Sequence, residues 1–506
     1  MLLALLIRLG FSRFPLPAEG TRMTAEGMAR LLRCQEMMES GKAFLRVHGF
    51  ENFPQGITTS ATSLPDWILI GLSRVFSSCE FPLVEAGFWA GPVLAMGFTG
   101  LLVLFMHHCS GSIRKFRHFY LLTFCLALPV VHLTAPGNPG PGMLFGGLFA
   151  LLFVSEIRRW QEEDSRWFEM ITAGLWGLLF WIALWQAALV FIAWCLFNLA
   201  FRGRERPFML LLAVGIGIGF WVFERFPAHG AMLVSGPEAA RWMEMLPEVQ
   251  PAHWKWWVAS GWGLLPVIFY LVGQERREVE STQALWIGLS ASLLLLAVWQ
   301  LRWLPLWTLI SSLLVVQAMP VLNTTTRWTS LAFQFLPMIA GLFLVTPVQT
   351  PSYSIRVASA EMQQQGALLA PTSVGPALSF YSGRPLVGGT SSQSLEGNLS
   401  TARFLTAKDL SEAENIIRER GIKYVALTNL STTLNSAYHL LGIPPQSRQP
   451  EATLAWKLWH QNREDSRFHL AMDTGTLRLF RVSEVLNSGR PPFHELVEPN
   501  ASDRPH

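Results

Sequence analysis

Charge is what this chain has least of. Only 15% of its 506 residues are Asp, Glu, Lys or Arg, against about 25% in soluble domains, while 51% are hydrophobic. Composition so poor in charge excludes a soluble globular protein over most of the length and places the chain in a membrane. The net charge of +4 is spread over many loops, and no basic groove interleaved with aromatics occurs, so the sequence gives no nucleic-acid partner. Cysteine is sparse, with five residues and no metal-ligand spacing among them. Cys125 and Cys195 lie inside apolar runs and Cys109 borders one, whereas Cys34 and Cys79 share one predicted external loop, which leaves a disulfide between them open. The opening "MLLALLIRLG" is too short to span a bilayer and lacks the small-residue cleavage site of a signal peptide. It reads as the tail of a first helix.

What the chain does have is long apolar runs. A spanning helix needs about 20 mostly apolar residues, and runs of this kind fall at 85–107, 116–134, 142–155, 168–185, 186–201, 207–223, 256–273, 283–300, 303–321 and 328–346. The expectation is a polytopic α-helical membrane protein of 10 to 11 spans over 1–346. Basic residues orient it. Alternate loops on one side hold Arg114, Lys115, Arg117, Arg158, Arg159, Arg166, Arg202, Arg204, Arg206, Arg276, Arg277 and Arg327; the opposite short loops hold Arg225, Arg241, Lys255 and Arg302. The first side is therefore cytoplasmic. Residues 11–83 and 224–255 become large external loops, and everything after 346 lies on the outer face. The 21 Trp residues gather near span ends, as an interfacial belt requires.

From 347 the polarity becomes ordinary, and strand and helix patterns alternate. "ALLA" (367–370) and "RPLVGG" (384–389) read as short strands. "DLSEAENIIRERG" reads as a helix, with Ser411 and Glu414 at capping-box spacing and Gly421 closing it, and runs straight into the strand "IKYVALT". "TTLNSAYHLLG" and "PEATLAWKLWHQ" predict two more helices and "TLRLFRV" a closing strand. The expected domain is α/β over 347–484, followed by a disordered tail at 485–506 rich in Pro and charge.

This layout, a span bundle followed by "GRPLVGGTSSQS", "ARFLTAKDLSEAENIIRERG" and "IKYVALT", resembles the catalytic subunit of oligosaccharyltransferase and its bacterial relatives, membrane glycosyltransferases of the GT-C class. In that family the corresponding strand carries a Trp-Trp-Asp signature that grips the acceptor peptide; the matching positions here are Pro371 to Gly375, "PTSVG". The stretch "MLPEVQPAHW" (245–254) resembles the family's Ser-x-Ser-Glu-x-Gln-Pro element, with Glu248, Gln250 and Pro251 in register. "TAEGMARLLRCQEMMESGK" followed by "NFPQG" resembles the family's first external loop, in which an acid some four to six positions before an Arg serves the metal and acceptor site. Glu26 precedes Arg30 by four.

The resemblance implies transfer of a sugar from a polyprenyl-phosphate-linked donor to a cell-envelope acceptor, in a bacterial inner membrane with the C-terminal domain periplasmic. It implies Glu26 and Glu248 as catalytic carboxylates, Arg30, Gln250 and Arg302 as substrate contacts, and Glu26 as a ligand of a divalent metal, Mg²⁺ or Mn²⁺, for which carboxylate oxygens are suitable. The family's second acidic ligand belongs in the loop that reads "TAPGNPGPGM", and no acid occurs from 132 to 155. A catalytically degenerate relative that binds or scaffolds is therefore the alternative. Each residue also has a plainer role open to it. Glu26 complements a helix dipole and pairs with Arg30 at i+4; Glu248 is one of several solvated loop acids; Asp66 caps an interfacial helix. Arg302, alone in its external turn, either binds a lipid phosphate or snorkels beside Trp299 and Trp303.

Overall fold

The computed structural model describes residues 23–58, 62–109, 141–161, 166–201, 208–225, 236–246, 254–273, 281–319, 322–344, 352–460 and 467–483. They fall into two units interleaved along the chain. One is built on Ala61–Glu224 and Leu246–Val348, the other on Pro17–Ser60, Arg225–Met245 and Gln349–His506.

The first unit is helical. Its elements Pro82–Cys109, Pro141–Gln161, Arg166–Ile182, Leu184–Phe201, Phe208–Arg225, Ser281–Trp299, Leu304–Ala318 and Thr324–Leu344 follow the apolar runs read from the sequence. The run at 116–134 lies outside the described residues. Pro82–Leu104 is long and apolar enough by itself to cross a membrane, and 144–156, 167–182, 209–224, 290–299 and 304–316 are shorter apolar helices. A core of Phe98, Phe149, Phe153, Trp176, Leu179, Leu309, Ile310 and Met338 is sealed from solvent. Helices Arg166–Ile182 and Phe208–Arg225 touch backbone to backbone, since a Cβ on Gly217 would run into the Gly177 carbonyl, and one on Gly177 would lie 2.7 Å from the Ala213 carbonyl oxygen. Small residues permit this approach. The outer surface stays apolar, with Leu104, Leu211, Ile216, Phe269, Leu295 and Leu336 exposed; Trp167, Trp185, Trp254, Trp299 and Trp328 are exposed at or near helix ends.

One expected span differs. The run 256–273 is two helices, Trp254–Ala259 and Leu264–Gly273, separated by Ser260–Gly263. Gly261 and Gly263 interrupt the run, and Gly261 adopts φ +76°, which a right-handed helix cannot hold.

The second unit is organised on a four-stranded sheet of order β3-β4-β6-β5, with β3 Ala367–Leu369, β4 Ile422–Thr428, β5 Phe468–Asp473 and β6 Leu477–Val482. β3 and β4 are parallel, so the chain crosses between them through helices Gly375–Ser382, Leu395–Thr406 and Leu410–Arg420; β4–β6 and β5–β6 are antiparallel. The helix in "DLSEAENIIRERG" is capped by Asp409, whose side chain accepts from the Ser411 amide, so Ser411 is inside the first turn and the capping-box reading moves by two residues. Gly421 ends it at φ +62°. "RPLVGG" makes only one bridge, Leu386 to Leu368, and the edge beyond it is taken by the N-terminal segment: Leu386 N–H donates to the Phe50 carbonyl at 2.7 Å, Phe53 N–H to Leu386 at 3.1 Å and Asn52 N–H to Gly388 at 3.1 Å. A two-stranded ladder, β1 Val47–His48 with β2 Ile57–Thr58, closes that segment. Cys34 is buried and Cys79 exposed, and neither takes part in a disulfide, the pairing that the sequence left open. The proposed tail at 485–506 lies outside the described residues.

Candidate functional site

The helix carrying Glu26 and Arg30 starts because Thr24, in extended conformation, accepts from the Gly27 amide through its hydroxyl at 3.1 Å. Glu26 sits exposed in the first turn, and Arg30, one turn on, is buried. This helix, Ala25–Ser40, packs against Gly375–Ser382. That second helix follows Pro371–Gly375 directly, through Val374 and Gly375 amides donating to the Pro371 carbonyl at 3.1 and 2.8 Å. The structure thus brings together two of the stretches that carry the family resemblance, the Glu26–Arg30 helix and the segment in place of Trp-Trp-Asp.

The loop after that helix is held by polar side chains. Arg420, only 1% exposed, donates from Nη1 to Gln55 Oε1 at 2.5 Å, the Phe53 carbonyl at 3.2 Å and Asn52 Oδ1 at 3.4 Å, and from Nη2 to Ser400 Oγ at 3.0 Å and Glu396 Oε1 at 3.1 Å. Glu51, also buried, accepts from Ser394 Oγ at 3.0 Å and more weakly from the Thr390 amide and hydroxyl. Glu36 Oε2 and His48 Nδ1 lie 2.5 Å apart, joining the end of the Ala25–Ser40 helix to β1. The helix Pro237–Met245 is docked likewise: Arg241 Nε donates to the Leu440 carbonyl at 3.0 Å, and Glu244 lies 3.3 Å from His439 Nε2. Sequence reading passed over Arg420. The signal available was its place at the last helical residue before a buried strand, where a long cation reaches back over the sheet edge.

The remaining candidates are not assembled by the described residues. Glu248 and Gln250 lie in 247–253, outside them. Arg302 belongs to a short 3₁₀ turn, Leu301–Trp303, of the helical unit, and its side chain is outside the described set. Asp66 departs from its reading as a cap: the cap position is Ser63, which makes no side-chain cap bond, and Asp66 is fully buried in the first turn of Leu64–Ser73. Ser63 N–H donates instead to Glu224 Oε1 at 3.3 Å. Glu224 and Glu156 are buried acids of the helical unit that the sequence reading passed over, although acids at the ends of apolar runs are the ones to ask about. Among the described residues no three His, Cys, Asp or Glu side chains converge to hold a cation. A single exposed carboxylate, Glu26, does not fit a divalent metal.

The chain matches no protein-family model and no curated protein. Its fold is that of the GT-C glycosyltransferases, with a helical unit and a C-terminal sheet region. Two enzymes are among the solved structures that share it. The oligosaccharyltransferase AglB from Archaeoglobus fulgidus, in complex with an inhibitory peptide and a dolichol-phosphate, superposes with a TM-score of 0.64 at 10% identity over 93% of this chain and 78% of its own. ArnT from Cupriavidus metallidurans superposes with a TM-score of 0.52 at 12% identity over 97% and 99% in the apo state, and with 0.51 when bound to undecaprenyl phosphate.

Proposed function

We propose that the chain is a multispanning membrane glycosyltransferase that moves a sugar from a polyprenyl-phosphate-linked donor to a cell-envelope acceptor. The observation that carries this is the fold-level match over nearly the whole chain to two enzymes whose structures hold polyprenyl phosphates, dolichol-phosphate in AglB and undecaprenyl phosphate in ArnT. The apolar exterior of the helical unit, with Trp at its helix ends, supports embedding in a bilayer; reading that bilayer as a bacterial inner membrane with residues after 346 on its outer face rests on the family resemblance and on the basic residues of alternate loops. In the reaction the acceptor's nucleophilic atom bonds to the anomeric carbon, the bond from that carbon to the lipid phosphate breaks, and the acceptor's proton leaves to a base. Glu248 is the base or the acceptor's hydrogen-bond partner. Arg302 holds the lipid phosphate bidentately. Gln250, beside Glu248, and Arg30, on the helix with Glu26, contact substrate.

The test is turnover of an undecaprenyl-phosphate-linked hexose by the purified full chain in the presence of cell-envelope extract. Glu248→Gln removes a charge-assisted contact worth roughly 1.5–3 kcal/mol, which lowers the rate roughly 10- to 150-fold with expression unchanged. Metal-independent failure of the parent to turn over any such donor favours the second reading, a degenerate relative that binds or scaffolds, which the absence of acids at 132–155 supports. Orientation is tested by a reporter fused after residue 360, which is expected to be active only outside the cytoplasm.

A further inference from the structure

We propose that the sheet unit carries a binding surface for an anionic oligosaccharide, built on the helix Leu454–His460 and the side chains beside it. This goes beyond the transferase reading and does not depend on it. The helix is started by Thr453, a buried residue whose hydroxyl accepts from the Trp456 amide at 3.2 Å. Leu454, Ala455 and Leu458 fill the inner face. At about 3.6 residues per turn, that spacing turns Trp456, Lys457, Trp459 and His460 outward; Lys457 and His460 are exposed and both indoles are half-buried.

The aromatic groups are held in place by the protein itself. The His460 ring lies against Trp456, with centroids 4.0 Å and planes 30° apart, and its Nδ1 is 3.0 Å from the Trp456 carbonyl. A carbonyl only accepts, so Nδ1 carries the proton and Nε2 remains for a ligand hydroxyl. Trp459, a neighbour of Trp456 at i+3, is held by Arg478: the guanidinium carbon lies 5.4 Å from the ring centroid, Nη1 donates to the Trp459 carbonyl and Nη2 reaches Asp473 Oδ2 at 2.8 Å.

Positive charge borders these rings. Lys457 Nζ donates to the Lys408 carbonyl at 3.3 Å, and Lys408 Nζ to Gln449 Oε1 at 2.8 Å, so two exposed ammonium groups stand together with neutral partners only. The nearby acids do not neutralise them. Asp409 turns its carboxylate to the Ser411 amide at 3.4 Å, and Glu451, in the turn Pro450–Ala452, is exposed and pairs with neither lysine.

An anionic saccharide matches both features. A sugar ring offers a C–H face that packs on an aromatic plane and hydroxyls at its rim for His460 Nε2, while a carboxylate or phosphate on the ring makes charge-assisted contacts with the lysines. Aromatic groups fixed in advance lose little freedom on binding. The other anionic partner, a lipid surface, takes a helix whose apolar face is free to insert; here Leu454, Ala455 and Leu458 point inward and neither indole protrudes.

The experiment is calorimetric titration of the full chain in phosphatidylcholine nanodiscs with two hexasaccharides, one of galacturonate and one of phosphorylated mannose. Maltohexaose and hexaglutamate serve as the neutral-sugar and sugar-free controls. At least one anionic hexasaccharide is expected to bind about tenfold or more tighter than either control. Trp456→Ala and the double variant Lys408→Gln/Lys457→Gln are each expected to weaken that binding about tenfold. The lysines are exposed, so the double variant keeps the parent's unfolding midpoint and its result stands even if Trp456→Ala fails to fold. Failure of both anionic hexasaccharides to bind at millimolar concentration overturns the proposal, as does unchanged affinity in the lysine variant. Hexaglutamate binding equally well reduces the surface to a charge patch, and displacement of bound hexasaccharide by phosphatidylglycerol vesicles assigns it to lipid; either outcome overturns the saccharide. Sugar transfer enters none of these readouts, so failure here leaves the transferase reading untouched, and loss of that reading leaves this one.

Discussion

In the helical unit, segments distant in sequence meet through apolar side chains and bare glycine backbone, as where Gly217 lies on Gly177, and polar bonds gather where a helix is broken, at Ser260–Gly263. In the sheet unit the longest-range ties are charged and buried: Arg420 holds Asn52, 368 residues away, and Glu51 holds Ser394, 343 residues away. The difference follows from what each segment brings. A helix satisfies its own backbone and offers only a side-chain surface, so packing decides its neighbours. The stretch 50–56 has irregular backbone and little apolar area beyond Phe50 and Phe53, so its carbonyls and amides need partners, and a guanidinium with five donors supplies several from one point. Polar ties thus mark irregular chain in both units.

Removing the clamp tests this most directly. Arg420→Met is expected to cost the sheet unit about 3 kcal/mol or more, since several buried acceptors lose their donor, seen as a lower unfolding midpoint and as new protease cleavage within 50–58. Next comes the apolar counterpart. Gly217→Val forces apart two helices in backbone contact and is expected to cost about 1–3 kcal/mol, lowering the helical unit's midpoint without exposing 50–58 to protease. Equal sensitivity of both units to both variants would erase the distinction.

Glu51→Gln keeps the shape and weakens the acceptor, so about 1 kcal/mol is expected in the same unfolding measurement. The smallest effect concerns pH. Burial pushes the Tyr438 phenol above its ordinary 10.0, and the Gln449 backbone and then Arg448, whose guanidinium lies 5.6 Å from the ring centroid, partly offset this. The fold favours the neutral phenol, so this contribution is present in full below about pH 10 and is lost as pH rises from there through the raised folded value. Tyr438→Phe should flatten that alkaline decline in the sheet unit's unfolding midpoint, and an unchanged profile would remove Tyr438 as its cause.

Much of the architecture was legible because its signals are local. Apolar runs placed the long helices to within a few residues, Thr24 started its helix, and Gly421 ended another just before "IKYVALT". The misreadings share one origin. Asp409 and Ser411 are both good caps, and only backbone geometry chooses between them; β5, "FHLAMD", alternates too weakly to stand out; the 256–273 run is apolar throughout, and its two glycines look harmless until Gln334 and Pro337 are seen opposite. The candidate site was legible only by resemblance, and of its residues the fold places Glu26 and Arg30 on a helix packed against Gly375–Ser382 and the backbone of Arg302 in a 3₁₀ turn of the helical unit.

By itself the sequence determined that helices dominate, where most begin and end, and that a strand-and-helix region closes the chain, because hydrophobic periodicity, capping and glycine preference act over a few residues. Only the tertiary structure decided that residues 47–58 complete the edge of a sheet formed more than 300 residues later, that Arg420 and Glu51 are buried ties and not surface charges, and that the Phe333 carbonyl, deprived of its helical donor by Pro337, receives the Trp262 amide of a broken helix. Those are pairings between groups that each look ordinary alone. Burial removes the water that would otherwise satisfy them, and which partner replaces it depends on where the rest of the chain has come to lie.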